Sequence, residues 1–428
     1  MSDMSITFAG VKMRTPIGVQ PTAPLAPWMF DPERYADWLL KSVEAGAGYV
    51  YVPACFYSAE LQKDLEEMKR RKAPIYFPGQ RLMKMETPGF GVDGAILIFG
   101  RPVVAWIEGA PKLLSILKKR LPEDIPVIAN LIGPGEDCDG WAEGGKKFED
   151  IGADLIELNF SSPGGLMMKW TLQAYEERKL PPTYVGALVE LCDKAAMITE
   201  AVAKAVKVPI GVKWSPESGF PRIVFLTKQV RDAGAKFITS LNMATGFAPP
   251  DIYNGGRPTW PYLETQPAGG ISGNWLRHIL YKHVVNIARF VPEVDIMATG
   301  GLVCPEHFIE AIMFGAKATG TCSGIYFKGL PLIRKSVGFL TKYMNDQGYD
   351  NVEQFRGLAL QYIKYPEEVD WKIGKVFVEV DPVRCDGCGL CTQTLCDASY
   401  IAAGVAKVRR KDCGGCGICL LTCPQGAR

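Results

Sequence analysis

The sequence is short of the features that mark whole classes of protein. Its formal net charge is only +2, from 48 basic and 46 acidic residues. No Lys/Arg cluster alters that balance, so there is no electrostatic footprint for nucleic acid or an anionic membrane. Long apolar runs are missing; the most apolar, "GAILIFG" before Arg101, is far too short to span a bilayer. The opening "MSDMSITFAG" has no basic stretch followed by an apolar one, so it does not read as a signal peptide. No glycine-rich dinucleotide fingerprint follows an early strand, which argues against NAD(P)H binding by this chain. Histidine is scarce: His278, His283 and His307 are the three, all in segments expected to be outer, solvated helices. Low-complexity segments are absent. What these absences leave is a soluble, cytoplasmic chain of ordinary composition, 47% hydrophobic and 22% charged over 428 residues. That length buries a large core and divides into more than one domain, although a β/α barrel can take more than half of it.

Cysteine is plentiful, and unevenly placed. Of thirteen cysteines, Cys55, Cys138, Cys192, Cys304 and Cys322 are scattered, whereas eight fall within the last forty-four residues. A disulfide framework suits small secreted domains without a core, so the asymmetry points to metal in a reducing compartment. The first group reads Cys385-x2-Cys388-x2-Cys391-x4-Cys396, and the second Cys413-x2-Cys416-x2-Cys419-x3-Cys423-Pro424. Zinc sites use two separated CxxC pairs; two CxxCxxC triplets with distant fourth ligands fit cubane clusters better. Gly387, Gly389, Gly414, Gly415 and Gly417 permit the tight turns that face thiolates inward. In the bacterial ferredoxin pattern the fourth cysteine of each run serves the other cluster. On that pattern Cys385, Cys388, Cys391 and Cys423 hold one [4Fe–4S] cluster, and Cys413, Cys416, Cys419 and Cys396 hold the second. One departure is that Cys396 follows a four-residue gap and precedes Asp397 instead of proline.

Upstream, short apolar runs alternate with amphipathic segments, the mark of βα units and a parallel sheet. Eight candidate strands are "TPIGVQPTAP", "GAGYVYVPA", "IPVIANLIG", "ADLIELNFSSP", "VPIGVKWSP", "AKFITSLNM", "VDIMATGGL" and "ATGTCSGIY". Eight such units predict an α/β TIM (β/α)8 barrel over residues 1–372, followed by a small 2[4Fe–4S] ferredoxin-like domain over 373–428. The insert from about Tyr57 to Arg120 is expected to be an excursion on the substrate side. Strand C-termini line the active site of such barrels, and here they are polar or glycine-rich: Asn130, Asn159 with Ser161 and Ser162, Lys213, Asn242, Gly300 with Gly301, and Cys322 with Ser323. The glycines and Ser323 after the seventh and eighth strands sit where barrels bind phosphate through backbone N–H groups. "GGISG" (Gly269–Gly273) adds to the same cradle. Lys213 is costly to bury unpaired, and hydrogen bonding to an electron-rich ring such as the pyrimidine portion of a flavin would suit it.

Taken in order, "MSITFAGVKMRTPIG", "ADLIELNFSSP", "VPIGVKWSP", "IMATGGL", "TCSG" and the double cysteine tail resemble the dihydroorotate and dihydropyrimidine dehydrogenases. The resemblance spans almost the whole chain and is strongest to members whose FMN barrel carries a ferredoxin tail, the iron–sulfur subunits of bacterial NAD-dependent dihydropyrimidine dehydrogenases. It implies FMN, with Gly273, Gly300, Gly301, Cys322 and Ser323 on the phosphate side and Lys213 at the isoalloxazine. Asn130, Asn159 and Asn242 would lie along the flavin and substrate face. It also implies hydride transfer at flavin N5 coupled to proton transfer at the adjacent substrate carbon. The proton donor or acceptor would be Ser162, fourth in the N-x-S-[C/S]-P motif, aided by a relay because a free hydroxyl is a weak acid and base. Tyr184 is the alternative donor. The implied substrate is uracil- or thymine-like, in an oligomer fed by an FAD- and NAD-binding iron–sulfur subunit or a soluble ferredoxin.

Three departures qualify the substrate. Pro53 stands where the family carries a flavin-contacting lysine, and the Asn-x-Glu substrate motif is missing around "GFGVDGAILIFGRP". The segment "GGLMMKWTLQAYEERKLPPTYVG" also differs from the usual active-site loop, offering Lys169, Trp170, Tyr175 and Tyr184. These leave open a reductase of another carbonyl-conjugated alkene or ring, and a non-catalytic electron-transfer subunit.

Overall fold

A computed structural model of the chain describes residues 2–21, 31–56, 81–87, 91–98, 106–133, 135–161, 176–178, 192–259, 268–370 and 376–427. They fall into two compact units, Met1–Gln361 and Tyr362–Arg428.

The first unit is a (β/α)8 barrel. Its strands are β1 (Ile17–Val19), β2 (Val50–Phe56), β3 (Val127–Ile132), β4 (Leu155–Asn159), β5 (Ile210–Trp214), β6 (Phe237–Ser240), β7 (Asp295–Thr299) and β8 (Ala318–Thr321). They form one sheet in the order β1-β8-β7-β6-β5-β4-β3-β2, parallel at every pairing. All eight strands expected from the sequence are present. Closure falls between β1 and β2, where Gly48 N donates to Ile17 O at 2.8 Å. A side chain at Gly48 would bring its Cβ within 2.1 Å of the Thr15 carbonyl oxygen, so glycine is what lets the first and last strands of the sheet meet.

Among the described residues, eight helices longer than two turns cover the outside: α1 (Pro32–Glu44), α2 (Trp106–Arg120), α3 (Cys138–Ile151), α4 (Cys192–Ala205), α5 (Arg222–Asp232), α6 (Leu276–Phe290), α7 (Pro305–Met313) and α8 (Pro331–Gln347). Their ends follow local chemistry. Asp31 caps α1 by accepting from Glu33 N and Arg34 N, with Pro32 at the first helical position, where its missing N–H costs nothing. Asp137 caps α3, and Gly152 ends it in the left-handed conformation. Strands β4 and β5 are buried along their whole length, as parallel strands covered on both faces must be.

The two ends of the barrel differ. At the strand starts, the hairpin Ile6–Phe8/Val11–Met13 sets the Phe8 ring 5.1 Å from that of Phe237, and Ala9 N donates to Asp295 at 2.6 Å. That end is plugged. At the strand C-termini, Ala244–Phe247, Ala268–Gly273, Gly91–Ile98 and Arg81–Thr87 form an antiparallel sheet in that order. It joins the expected excursion after β2 to the segment after β6.

The second unit is built on a repeat. Each cysteine run turns through two left-handed glycines, Gly387 and Gly389 (φ 70° and 76°) and Gly415 and Gly417 (φ 71° and 78°). Each then enters one short helical turn, Leu390–Thr392 or Ile418–Leu421. The hairpin Ser399–Ala402/Val405–Val408 lies between them in the chain.

The histidine expectation needs correcting. His278 is exposed on α6, but His283 on the same helix and His307 on α7 are buried, and His307 Nδ1 accepts from Val303 N in the loop after β7. Burial, aided by repulsion from Lys282, pushes the His283 pKa down to about 4. The native imidazole therefore stays neutral where the unfolded chain takes up a proton. The stability it contributes is complete above its ordinary pKa of 6.5 and drains as pH falls towards 4. His283→Leu is expected to remove this term. The stability difference between wild type and variant should shift by about 2 kcal/mol between pH 7 and pH 5 in urea titrations; a pH-independent difference would contradict it.

Candidate active site

Polar side chains stand on three adjacent strands, β3, β4 and β5, and parallel register brings them level. Asn130 pairs with Glu157 across β3 and β4, and Asn159 with Lys213 across β4 and β5. The result is a directed chain of hydrogen bonds. Asn242 Nδ2 donates to Ser161 Oγ at 2.8 Å, and Ser161 Oγ donates to Asn159 Oδ1 at 2.8 Å. Asn159 Nδ2 then donates to Asn130 Oδ1 at 3.1 Å, and Asn130 Nδ2 donates to Glu157 Oε1. Every donor points towards the one carboxylate.

Glu157 is completely buried and satisfied from two further sides. Tyr51 OH donates to its other oxygen at 2.7 Å, and Lys213 Nζ lies 3.7 Å from Oε1. Burial, reinforced by the charge of Glu157, holds the Tyr51 phenol well above its ordinary pKa, so it stays a neutral donor. Lys213 is thus paired inside the barrel, which meets the burial cost noted from the sequence.

The glycine-rich ends come together beside this network. Leu241, one residue before Asn242, donates its N–H to Thr299 O at 2.7 Å and packs against Gly300. A Cβ on Gly301 would lie 2.6 Å from both Gly273 O and Arg277 N. Gly300, Gly301 and Gly273 all have positive φ, so side chains there would be strained as well as crowded. Thr321 Oγ1 donates to Leu302 O at 2.7 Å and accepts from Gly324 N at 3.1 Å. This ties the loop carrying Cys322 and Ser323 to the one carrying Gly300 and Gly301. In the same region Trp275 Nε1 and Arg277 Nε are buried with no partner among the described residues. Close-approach glycines, a helix start and two spare donors suit an anion such as the phosphate of a nucleotide cofactor.

Pro53 interrupts β2: the ladder to β3 shifts register between Val52 and Cys55, as expected where an N–H is missing. Ser162 and Tyr184, like Lys169, Trp170 and Tyr175, lie outside the described residues. Sequence reasoning missed Glu157 and Tyr51, and left Ser161 without a role. The available signal was the alternation Glu157, Asn159, Ser161 in an otherwise apolar strand.

In the second unit the two cysteine runs match position by position. Cys391 and Cys419 are buried, Cys388 and Cys416 exposed, and Cys385, Cys413, Cys396 and Cys423 in between. Ala406 N donates to Cys385 Sγ and Ala427 N to Cys423 Sγ, each at 3.3 Å. Backbone donors aimed at sulfur suit thiolates that carry cluster charge. Among the described residues no group of three or more His, Cys, Asp or Glu is arranged to hold a single metal ion.

Comparison with known proteins adds three relatives and a family. The sequence pattern of the dihydroorotate dehydrogenase family matches residues 107–344. NAD-dependent dihydropyrimidine dehydrogenase subunit PreA of Escherichia coli K12 is 27% identical over 405 residues, covering 94% of this chain and 87% of the relative. A match of that length reaches into the cysteine-rich tail. The catalytic subunit of dihydroorotate dehydrogenase B (NAD(+)) of Methanocaldococcus jannaschii is 28% identical over 281 residues, 66% of this chain and 78% of its own. Chloroplastic dihydropyrimidine dehydrogenase (NADP(+)) of Arabidopsis thaliana is 27% identical over 286 residues, 65% and 61%.

If Glu157 and Lys213 act as a buried pair, neither tolerates loss of the other. Glu157→Gln and Lys213→Met are each expected to cost about 3–5 kcal/mol in urea denaturation. The double variant should cost less than the sum by at least about 1 kcal/mol. Strict additivity would mean that the pair carries no interaction.

Proposed function

Because the chain belongs to the dihydroorotate dehydrogenase family, we propose that it is the flavin and iron–sulfur subunit of an oxidoreductase acting on CH–CH bonds. It interconverts an activated C=C bond and its dihydro form, with a uracil- or thymine-like pyrimidine as substrate. The observation that carries this reading is the polar chain from Asn242 to Glu157 with Lys213 beside it. An interior devoted only to packing would be filled with apolar side chains.

The proposed arrangement has a barrel domain over residues 1–372 and a ferredoxin domain over 373–428. FMN fits the barrel end: Gly273, Gly300, Gly301, Cys322 and Ser323 would take its phosphate side, and Lys213 would face its ring. When bound, FMN supplies hydride transfer to or from the substrate carbon. Asn130, Asn159 and Asn242 would orient flavin and substrate, their amides held by the chain that ends at Glu157. Ser162 would move the proton at the adjacent substrate carbon, with Tyr184 as the alternative. Its neighbour Ser161 is the buried link between Asn242 and Asn159, the kind of relay partner a weakly acidic hydroxyl requires.

The eight tail cysteines would hold two [4Fe–4S] clusters, through which a cytoplasmic partner exchanges electrons. That partner would be an FAD- and NAD-binding iron–sulfur subunit or a soluble ferredoxin. Among the described residues no helix is long and apolar enough to cross a membrane. The interruption of β2 at Pro53 favours a second reading, in which a different carbonyl-conjugated alkene is the substrate.

Anaerobically purified protein is expected to contain about one FMN and about eight irons per chain. Its flavin absorbance should change on adding uracil, thymine or their dihydro forms. Ser162→Ala should slow that change at least about 100-fold while FMN content is retained. FMN without a pyrimidine response would overturn the substrate; iron without flavin would overturn the catalytic reading.

A further inference from the structure

The near-neutral balance of the whole chain hides a local asymmetry in the second unit. Residues 405–412, which lead directly into Cys413, carry Lys407, Arg409, Arg410 and Lys411 against the single carboxylate of Asp412. Residues 379–388, around the start of the first cysteine run, carry Glu379, Asp381 and Asp386 against Arg384 alone. Arg384 is itself 3.8 Å from Asp381. In sequence the two cysteine runs are therefore flanked by charges of opposite sign, although the cationic hairpin also reaches the first run, where Ala406 N donates to Cys385 Sγ.

The cationic side is ordered. Tyr400 pairs with Lys407 across the hairpin, and the Arg409 guanidinium lies 4.8 Å over the Tyr400 ring while Nη1 donates to Asp397 O at 2.6 Å. Arg410 lies 4.1 Å over Phe377, with Glu379 at 3.5 Å. Lys407, Arg409, Arg410 and Lys411 are all exposed, as is Cys416 of the second run. Stacked arginines lose less freedom when they engage carboxylates, because their forks are already oriented.

Resting on the reading of the tail as a pair of clusters, we infer that this patch is the docking surface for a separate, acidic one-electron carrier protein. The electrons enter at the second cluster, that of Cys413, Cys416, Cys419 and Cys396. Exposed lysines and arginines favour a transient, electrostatically steered encounter; permanent subunit interfaces are depleted of lysine at their centres. Each docking oxidises one reduced carrier by one electron and reduces the second cluster by one. Two dockings, with two protons from solvent, balance the saturation of one C=C bond.

A small acidic 2[4Fe–4S] ferredoxin, reduced beforehand, is the probe, mixed anaerobically with the complete protein in a stopped-flow instrument. The rate of flavin bleaching, which reoxidation of the carrier's clusters does not cancel, should fall at least about 10-fold between about 20 and about 300 mM salt. At low salt it should fall about 10-fold again in Lys407→Glu/Lys411→Glu. Iron content and bleaching by dithionite show that the variant keeps its clusters. The stacked arginines are left in place by this variant, and Arg384→Glu, at the first run, should not slow the carrier. A rate indifferent to salt or to the lysine reversal, or equally slowed by Arg384→Glu, would overturn the inference. So would a salt-resistant complex with a co-purifying subunit. Because the readout needs no pyrimidine, a carrier effect without uracil turnover would count against the substrate alone.

Discussion

The barrel depends on how it accommodates one buried carboxylate. Glu157 sits on a strand whose every residue is buried, where an isolated charge would be prohibitively costly. Three neighbouring strands meet that cost together: Tyr51 from β2, Asn130 from β3 and Lys213 from β5. Each partner is then committed, and the commitment spreads outward. Asn130 must offer its carbonyl to Asn159, Asn159 its carbonyl to Ser161, and Ser161 its oxygen to Asn242. The orientation of polar groups at the barrel mouth is thus set from the barrel interior. Such preorganisation lets amides and hydroxyls act on a ligand without rearranging.

Much of the fold was legible. The eight strands and their helices follow from apolar runs, caps and terminal glycines, which are local features. The inward asparagines and Lys213 were legible because polar residues at strand ends are conspicuous. Glu157 and Tyr51 were not, since each lies within a strand and only the register between strands shows that they meet. His283 and His307 were misjudged for a related reason. A helix sequence displays its periodicity, but a neutral imidazole reads as polar although it is buried. The antiparallel sheet above the barrel joins segments about 175 residues apart, Gly91–Ile98 and Ala268–Gly273, a pairing no local pattern signals. The charge asymmetry of the tail escaped because net charge averages over it.

On the proposed reading the two units divide the chemistry. In the barrel, glycines with positive φ at 273, 300 and 301 clear space for a cofactor, and the polar chain beside them fixes donors and acceptors. In the tail, paired glycine turns present two matched sets of thiols, and backbone N–H groups already point at Cys385 and Cys423. On this account neither unit completes a reaction alone. The barrel needs a source or sink of single electrons, and the clusters need a place where two of them are used.

The most direct test of that division is to reduce both centres anaerobically with dithionite and then mix with uracil in stopped flow. Flavin and cluster absorbance are expected to recover together, in proportion to uracil consumed. Recovery of the flavin while the clusters stay reduced would show that the tail is not connected to the chemistry of the barrel.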